Sequence, residues 1–188
     1  IFAVAHLIVG RIRGGLGHVN VLASMLFAGM SGSAVADAAG LGLVEIKAMR
    51  QAGYTPRFAA TLTAVSSTIG PVIPPSIPFV IYGSLANVSV GALFLAGIVP
   101  GVLMGAALML VVALVARRQN LPMGEARPAT PVALRILGDA LPALAMPPLI
   151  LGGIFGGIVT PTEAAVVAAG YAFLLGRFFY REVSFADL

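Results

Sequence analysis

Between Arg57 and Arg117 the chain carries no charged side chain. A membrane pass takes about 20 residues, so this run is long enough for two passes. The first is interrupted near its middle by the stretch at 63–79, TAVSSTIGPVIPPSIPF. Gly70, Pro71, Pro74, Pro75 and Pro78 cannot all sit in one regular helix, because each proline removes a backbone donor and clashes with the carbonyl four residues back. In hydrocarbon the freed backbone groups need partners, so unwound chain at membrane depth is tolerated only where protein buries it or water reaches it. Broken helices of this kind mark substrate and ion sites in secondary transporters. A kinked packing helix would account for one proline. Pro71, Pro74, Pro75 and Pro78 together, preceded by Ser66, Ser67 and Thr68, fit a site better.

The composition agrees with a membrane protein. Hydrophobic residues make up 59% of the 188 residues and charged ones 10%, against about 45–50% and about 25% in soluble domains. The fold class expected is an all-α polytopic membrane protein. The net charge of +4 comes from basic residues scattered at loop positions, the pattern of membrane orientation, and does not read as nucleic-acid binding. Without cysteine, disulfides and thiolate metal sites are excluded. His6 and His18 lie too far apart in sequence to suggest a catalytic metal centre. The chain begins at Ile1, without Met or a signal-peptide pattern, and reads as an internal piece of a longer protein.

Residues 1–13 run from apolar to basic and read either as the tail of a preceding element near the membrane surface or as a loop remnant. Residues 14–48 read as a re-entrant hairpin. The apolar segment 19–30 would reach about 18 Å as a helix, only to the middle of a layer about 30 Å thick. Ser31, Gly32 and Ser33 then make a flexible tip, and a second apolar arm carries the chain back to Glu45 and Lys47. One full spanning helix is the competing reading. Residues 57–84 are the discontinuous helix and 91–116 a regular pass. Gly101 and Gly105 on that pass are expected to form a helix-contact face. Residues 117–138 read as an irregular proline-bearing loop, 139–159 and 160–176 as two more passes, and 177–188 as an interfacial arm.

Charge sidedness favours the hairpin. If the 19–44 stretch re-enters, Arg11, Arg13, Lys47, Arg50, Arg57, Arg117, Arg118, Arg127, Arg135, Arg177 and Arg181 all fall on one side. The positive-inside rule makes that side cytoplasmic. The turn at Thr160 and Glu163, which holds no basic residue, lies opposite. A single full pass would separate Arg11 and Arg13 from the rest.

Several stretches together resemble one known family. They are GGLGHVNV at 14–21, MSGSAVADAAGLG at 30–42, IGPVIPPSIPFVIYG at 69–83 and GIVTPTEAA at 157–165. They resemble, in the same order, the large permease subunit of tripartite ATP-independent periplasmic (TRAP) transporters. The resemblance implies inverted repeats, each with a re-entrant hairpin and a discontinuous helix. This chain would hold the first hairpin and broken helix and the opening of the second repeat. It further implies an elevator-type, sodium-driven importer of a small organic acid, such as a C4-dicarboxylate, in a bacterial or archaeal inner membrane. The expected partners are a small membrane subunit and a periplasmic substrate-binding protein. Sodium is the expected coupling ion, and no other cofactor is expected.

The candidate ion and substrate residues are Ser31, Gly32, Ser33, Asp37, Ser66, Ser67, Thr68, Gly70 and Ser76, with Ser31, Ser33, Ser67 and Gly70 as the sodium candidates. Hydroxyls and freed carbonyls can replace an ion's water, and Ser33 can also cap the returning helix. Asp37 admits two readings, an ion ligand or a partner for the amides of a helix start. Glu163 beside Pro161 reads as a helix start. His18 reads as a boundary residue. A stand-alone sodium–carboxylate symporter shares this design. An intramembrane hydrolase would need paired acids, or a serine with a base, at depth, and neither is legible. A purely structural membrane subunit leaves the broken helix unexplained.

Overall fold

The computed structural model describes residues 1–124 and 129–180, and these are helical apart from short turns and one isolated bridge. Helix α1 (Phe2–Val9) leads to α2 (Gly15–Ser31) through Gly14, whose φ of 73° takes the left-handed turn. α2 stops at Gly32, again left-handed at φ 59°, with its amide bonded to the Ala28 carbonyl. Glycine takes this stop without a Cβ penalty. Ser33 is extended, and its hydroxyl accepts the Ala36 amide at 3.3 Å. This cap starts a returning arm: α3 (Ala34–Ala36), a π-helical turn (Asp37–Leu41) and α4 (Gly42–Gln51). The arm packs back along α2, so the chain forms a helical hairpin with its tip at 31–33.

The discontinuous helix is present. Pro56 sits in the first turn of α5 (Pro56–Ser67), behind a Thr55 cap. Its end tightens, with the amides of Thr68, Ile69 and Gly70 each bonded three residues back. The chain stays unwound through Pro71, Pro74 and Pro75 until Ser76 caps α6 (Ile77–Ala86). Pro78 lies in the first turn of α6, where the missing amide hydrogen has no helical partner to lose.

α7 (Val90–Arg118) is one 29-residue helix that runs through Pro100. Arg117 and Arg118 occupy its last turn, where cations suit the helix dipole. The loop expected over 117–138 is helical from Thr130, because Pro131 starts a helix where it was expected to mark a loop. α8 (Thr130–Leu144) and α9 (Met146–Phe155) run on as a 26-residue stretch, and α10 (Pro161–Leu174) continues into a π-helical turn (Leu175–Phe179). These two stretches and α7 are long and apolar enough to cross a membrane. Of the expected interfacial arm, 181–188 lie outside the described residues, as do Arg127 and Pro128.

The hairpin's ends meet the end of α7. The Gly14 amide donates to the Pro122 carbonyl at 3.0 Å, and the Arg13 guanidinium to Asn120 Oδ1 at 3.2 Å. Leu16, Gln51, Tyr54 and Met123 line one cavity, so the returning arm finishes at the same place. From there the glycines set a register along α7. Gly14 faces Ala116, Gly17 faces Val112, and Gly105 faces Met25. Gly101 faces Ile73, and Gly97 faces Val72 and Phe79. Gly101 and Gly105 are thus a helix-contact face. At 1.5 Å per residue the unwound stretch lies roughly 25 Å from the Arg118 end of α7 and about 10 Å from its Val90 end. Val21, Met49, Tyr54, Leu62, Ile69 and Val112 form the main core between these elements. Met146, Ile150 and Ala164 join α9 to α10.

Candidate functional site

The hairpin tip rests on the broken helix, backbone against backbone. A Cβ on Gly32 would stand 2.5 Å from the Pro75 carbonyl oxygen and 3.2 Å from the Ile77 nitrogen. One on Gly70 would stand 3.2 Å from the Ser33 carbonyl carbon and 3.3 Å from the Ala34 nitrogen. Glycine is required at 32, and a Cβ at 70 would have to push the hairpin backbone away by a few tenths of an ångström. Among the described residues no amide donates to the carbonyls of Gly70, Val72 and Ile73 in the break, or of Ser31 and Gly32 at the tip. The Val72 carbonyl faces Gly97 of α7, while the Pro75 carbonyl faces Gly32, so the break turns a carbonyl oxygen to the tip. Ser31 accepts the Ser33 amide at 3.5 Å, and Ser76 donates to the Pro71 carbonyl while capping α6. Beside the contact lies a cleft of about 440 Å³, mostly apolar, where Ser31, Ser76 and Thr162 supply the hydroxyls and Phe94, Ile150 and Ile154 the walls.

Below the contact, at the next turn of α5, lies a second set of polar groups. Asn20, Ser24, Asp37, Glu45, Thr63, Ser66 and Ser67 are each 2% exposed or less. The Asn20 amide donates to Glu45 Oε2 at 2.6 Å and to Thr63 Oγ1 at 2.7 Å. Ser66 donates to Asn20 Oδ1 at 2.8 Å, and Ser24 to Ser66 at 3.2 Å. Ser67 donates to the Thr63 carbonyl at 2.8 Å. The cluster ties both hairpin arms to α5.

The structure thus divides the sequence candidates. It brings Ser31, Gly32, Ser33, Gly70 and Ser76 together at the contact. It places Asp37, Ser66 and Ser67 in the buried cluster. Thr68 belongs to neither: it is exposed, with its hydroxyl on the Val65 carbonyl at 2.6 Å. Asp37 opens the π-helical turn, a distortion frequent at functional sites. Its carboxylate meets no amide, so it does not cap the helix start. Glu163 does, in a capping box with Thr160: its Oε2 accepts the Thr160 amide at 2.7 Å. His18 is buried within the protein, with Nδ1 3.1 Å from the Gly14 carbonyl.

Glu45, which reads from sequence as the edge of the membrane segment, lies inside with Asn20. The missed residues are Asn20, Ser24, Glu45 and Thr63. A signal existed, since Asn20 and Ser24 are four apart on α2, and Thr63, Ser66 and Ser67 share one face of α5.

The chain is similar to known proteins along its whole length. The family described as "Tripartite ATP-independent periplasmic transporter, DctM component" matches residues 1–188. The sialic acid TRAP transporter large permease protein SiaM of Vibrio cholerae is 49% identical across 98% of this chain and 43% of its own length. The sialic acid TRAP transporter permease protein SiaT of Haemophilus influenzae is 47% identical across 100% of this chain and 30% of its own. The 2,3-diketo-L-gulonate TRAP transporter large permease protein YiaN of Escherichia coli is 45% identical across 96% and 42%. The chain spans less than half the length of these relatives. With this match over its whole length, the chain belongs to the DctM family of TRAP transporter large permease components.

Proposed function

We propose that the full-length protein is the permease of a sodium-coupled importer for a small organic acid. It takes its substrate from a periplasmic binding protein and works beside a small membrane subunit. It sits in the bacterial inner membrane with the Arg13–Arg117 end cytoplasmic, and the hairpin re-enters from that side. The substrate is proposed as a class only, because relatives of similar identity are named for sialic acid, C4-dicarboxylate and 2,3-diketo-L-gulonate.

The observation that carries the reading is the contact between tip and break. Sodium exchanges its water for several oxygens, and carbonyls freed at helix breaks offer them without burying a net charge. The Pro75 carbonyl of the break faces Gly32, and the tip has free carbonyls at Ser31 and Gly32, with the Ser31 and Ser33 hydroxyls beside them. An ion held there would favour the arrangement in which hairpin and broken helix close on each other, and a ligand shifts such an equilibrium by its differential affinity. The hairpin-bearing unit would then move with its cargo as an elevator.

The test is uptake by the reconstituted full-length transporter at graded sodium. Ser31→Ala and Ser33→Ala should raise the sodium needed for half-maximal uptake, about tenfold for each 1.4 kcal/mol lost. Gly70→Val should abolish coupling, since its Cβ meets the Ser33 backbone. Parent-like sodium dependence in all three variants would rule out this ion site. Full uptake without any binding protein would favour the stand-alone symporter.

A further inference from the structure

The returning arm of the hairpin has two faces. Its inner face carries the buried Asp37, Gly42, Glu45 and Met49. Its outer face is open: Val35, Leu43 and Val44 are 77%, 69% and 53% exposed, and Ala38, Ala39 and Gly40 between them are exposed too. This apolar strip ends in Lys47 and Arg50, both exposed, which line one surface cleft with Leu43, Ile46 and Gln51. Residues three and four apart are neighbours on a helix, so the two cations stand side by side next to Leu43. Neither has an acid of its own arm to answer it, because Asp37 and Glu45 are each 1% exposed and belong to the inner face. The helix dipole accounts for Arg50 in the last turn of α4, but not for the apolar strip that the pair closes. At 1.5 Å per residue Val35 and Lys47 lie roughly 18 Å apart along the arm. That is close to one leaflet's half of a hydrocarbon layer about 30 Å thick.

We infer that the outer face of the returning arm seats an anionic phospholipid of the cytoplasmic leaflet, its phosphate on Lys47 and Arg50 and an acyl chain along the strip from Leu43 to Val35. The inference rests on the proposed re-entry of the hairpin from the cytoplasmic side. Lysine and arginine hold phosphate oxygens by charge-assisted hydrogen bonds, and cations at the cytoplasmic leaflet attract anionic headgroups. A zwitterionic headgroup brings its own ammonium and leaves part of the pair's charge unanswered. A partner helix laid on the strip would cover Leu43 but leave both cations without an anion. Arg11, Arg57, Arg117 and Arg118 are exposed at the same end, so the surrounding field also favours an anionic lipid. Seated there, the lipid ties the base of the hairpin to the leaflet.

The test places a fluorophore on Leu43→Cys in the full-length permease, in a background without other cysteines. The protein is reconstituted in phosphatidylcholine vesicles with a minor share of phosphatidylglycerol. Each lipid is brominated in turn, and quenching reports its share of the contacts at position 43. Brominated phosphatidylglycerol should quench well beyond its share of the bilayer. Lys47→Gln should cut that excess roughly fivefold, and Arg50→Gln about as much again. Lys47→Arg should keep it, and Arg117→Gln should leave it nearly unchanged. Quenching by both lipids in proportion to their amounts would overturn the lipid seat and leave the re-entrant hairpin standing. No quenching by either lipid, with the label shielded from aqueous iodide, would mean that protein covers the strip and would overturn it as well. Quenching by iodide alone puts the strip in water and takes the re-entry with it. Equal losses in Arg117→Gln and Lys47→Gln would assign the preference to the general charge of that end and refute the seat. Should the glutamine variants fail to fold, the unsubstituted pair decides: the excess should fall as salt rises, and a salt-independent excess refutes the role of the pair.

Discussion

Gly32 and Gly53 allow the tip contact to be weighed against backbone strain alone. Both have left-handed backbone, at φ +59° and +87°. Alanine at either carries the penalty of that region, about 1–2 kcal/mol. They differ in surroundings. Nothing lies within 4 Å of a Cβ on Gly53, whereas one on Gly32 stands 2.5 Å from the Pro75 oxygen and 3.2 Å from the Ser76 Cα. Those neighbours are backbone and cannot swing aside, so overpacking adds about 1–3 kcal/mol. Gly53→Ala should therefore lose about 1–2 kcal/mol and Gly32→Ala about 2–5 kcal/mol. Unfolding midpoints of the full-length permease in detergent, measured in parallel, give the ranking. Gly32→Ala should also lose sodium-dependent uptake, and Gly53→Ala should keep it. Equal midpoints for the two variants would mean that the tip does not press on the break, and the argument for an ion between them would go with it.

The other predictions use the same material. Asn20→Leu removes the donor to Glu45 and Thr63 and should destabilise the permease by about 2 kcal/mol or more, seen as a lower thermal midpoint. Gly101→Ala meets Ile73 and should destabilise by about 1–3 kcal/mol, while Gly138→Ala, with nothing within 4 Å, should be neutral or stabilising by up to about 1 kcal/mol in the same assay. Single cysteines at positions 13, 47 and 117 should share one side towards an impermeant thiol reagent in cells, with position 160 opposite; labelling at 13 but not at 47 would break the hairpin.

The hairpin and the break were legible because their residues have few uses elsewhere. A glycine between serines inside an apolar run, and a cluster of prolines inside a longer one, each interrupt a helix for a stated steric reason. The limits of the elements were less legible. Pro131 reads as a loop residue until the helix it starts is seen, and α2 begins at Gly15 because a left-handed Gly14 precedes it, earlier than the apolar segment suggests. The buried cluster was legible only in part. Asp37, Ser66 and Ser67 drew attention as polar groups near the interruptions. Asn20 and Thr63 look like ordinary polar substitutions until α2 and α5 are set side by side, and Glu45 looks like the water's edge. Sequence spacing gives the face of each helix, but which faces meet depends on the glycine register along α7.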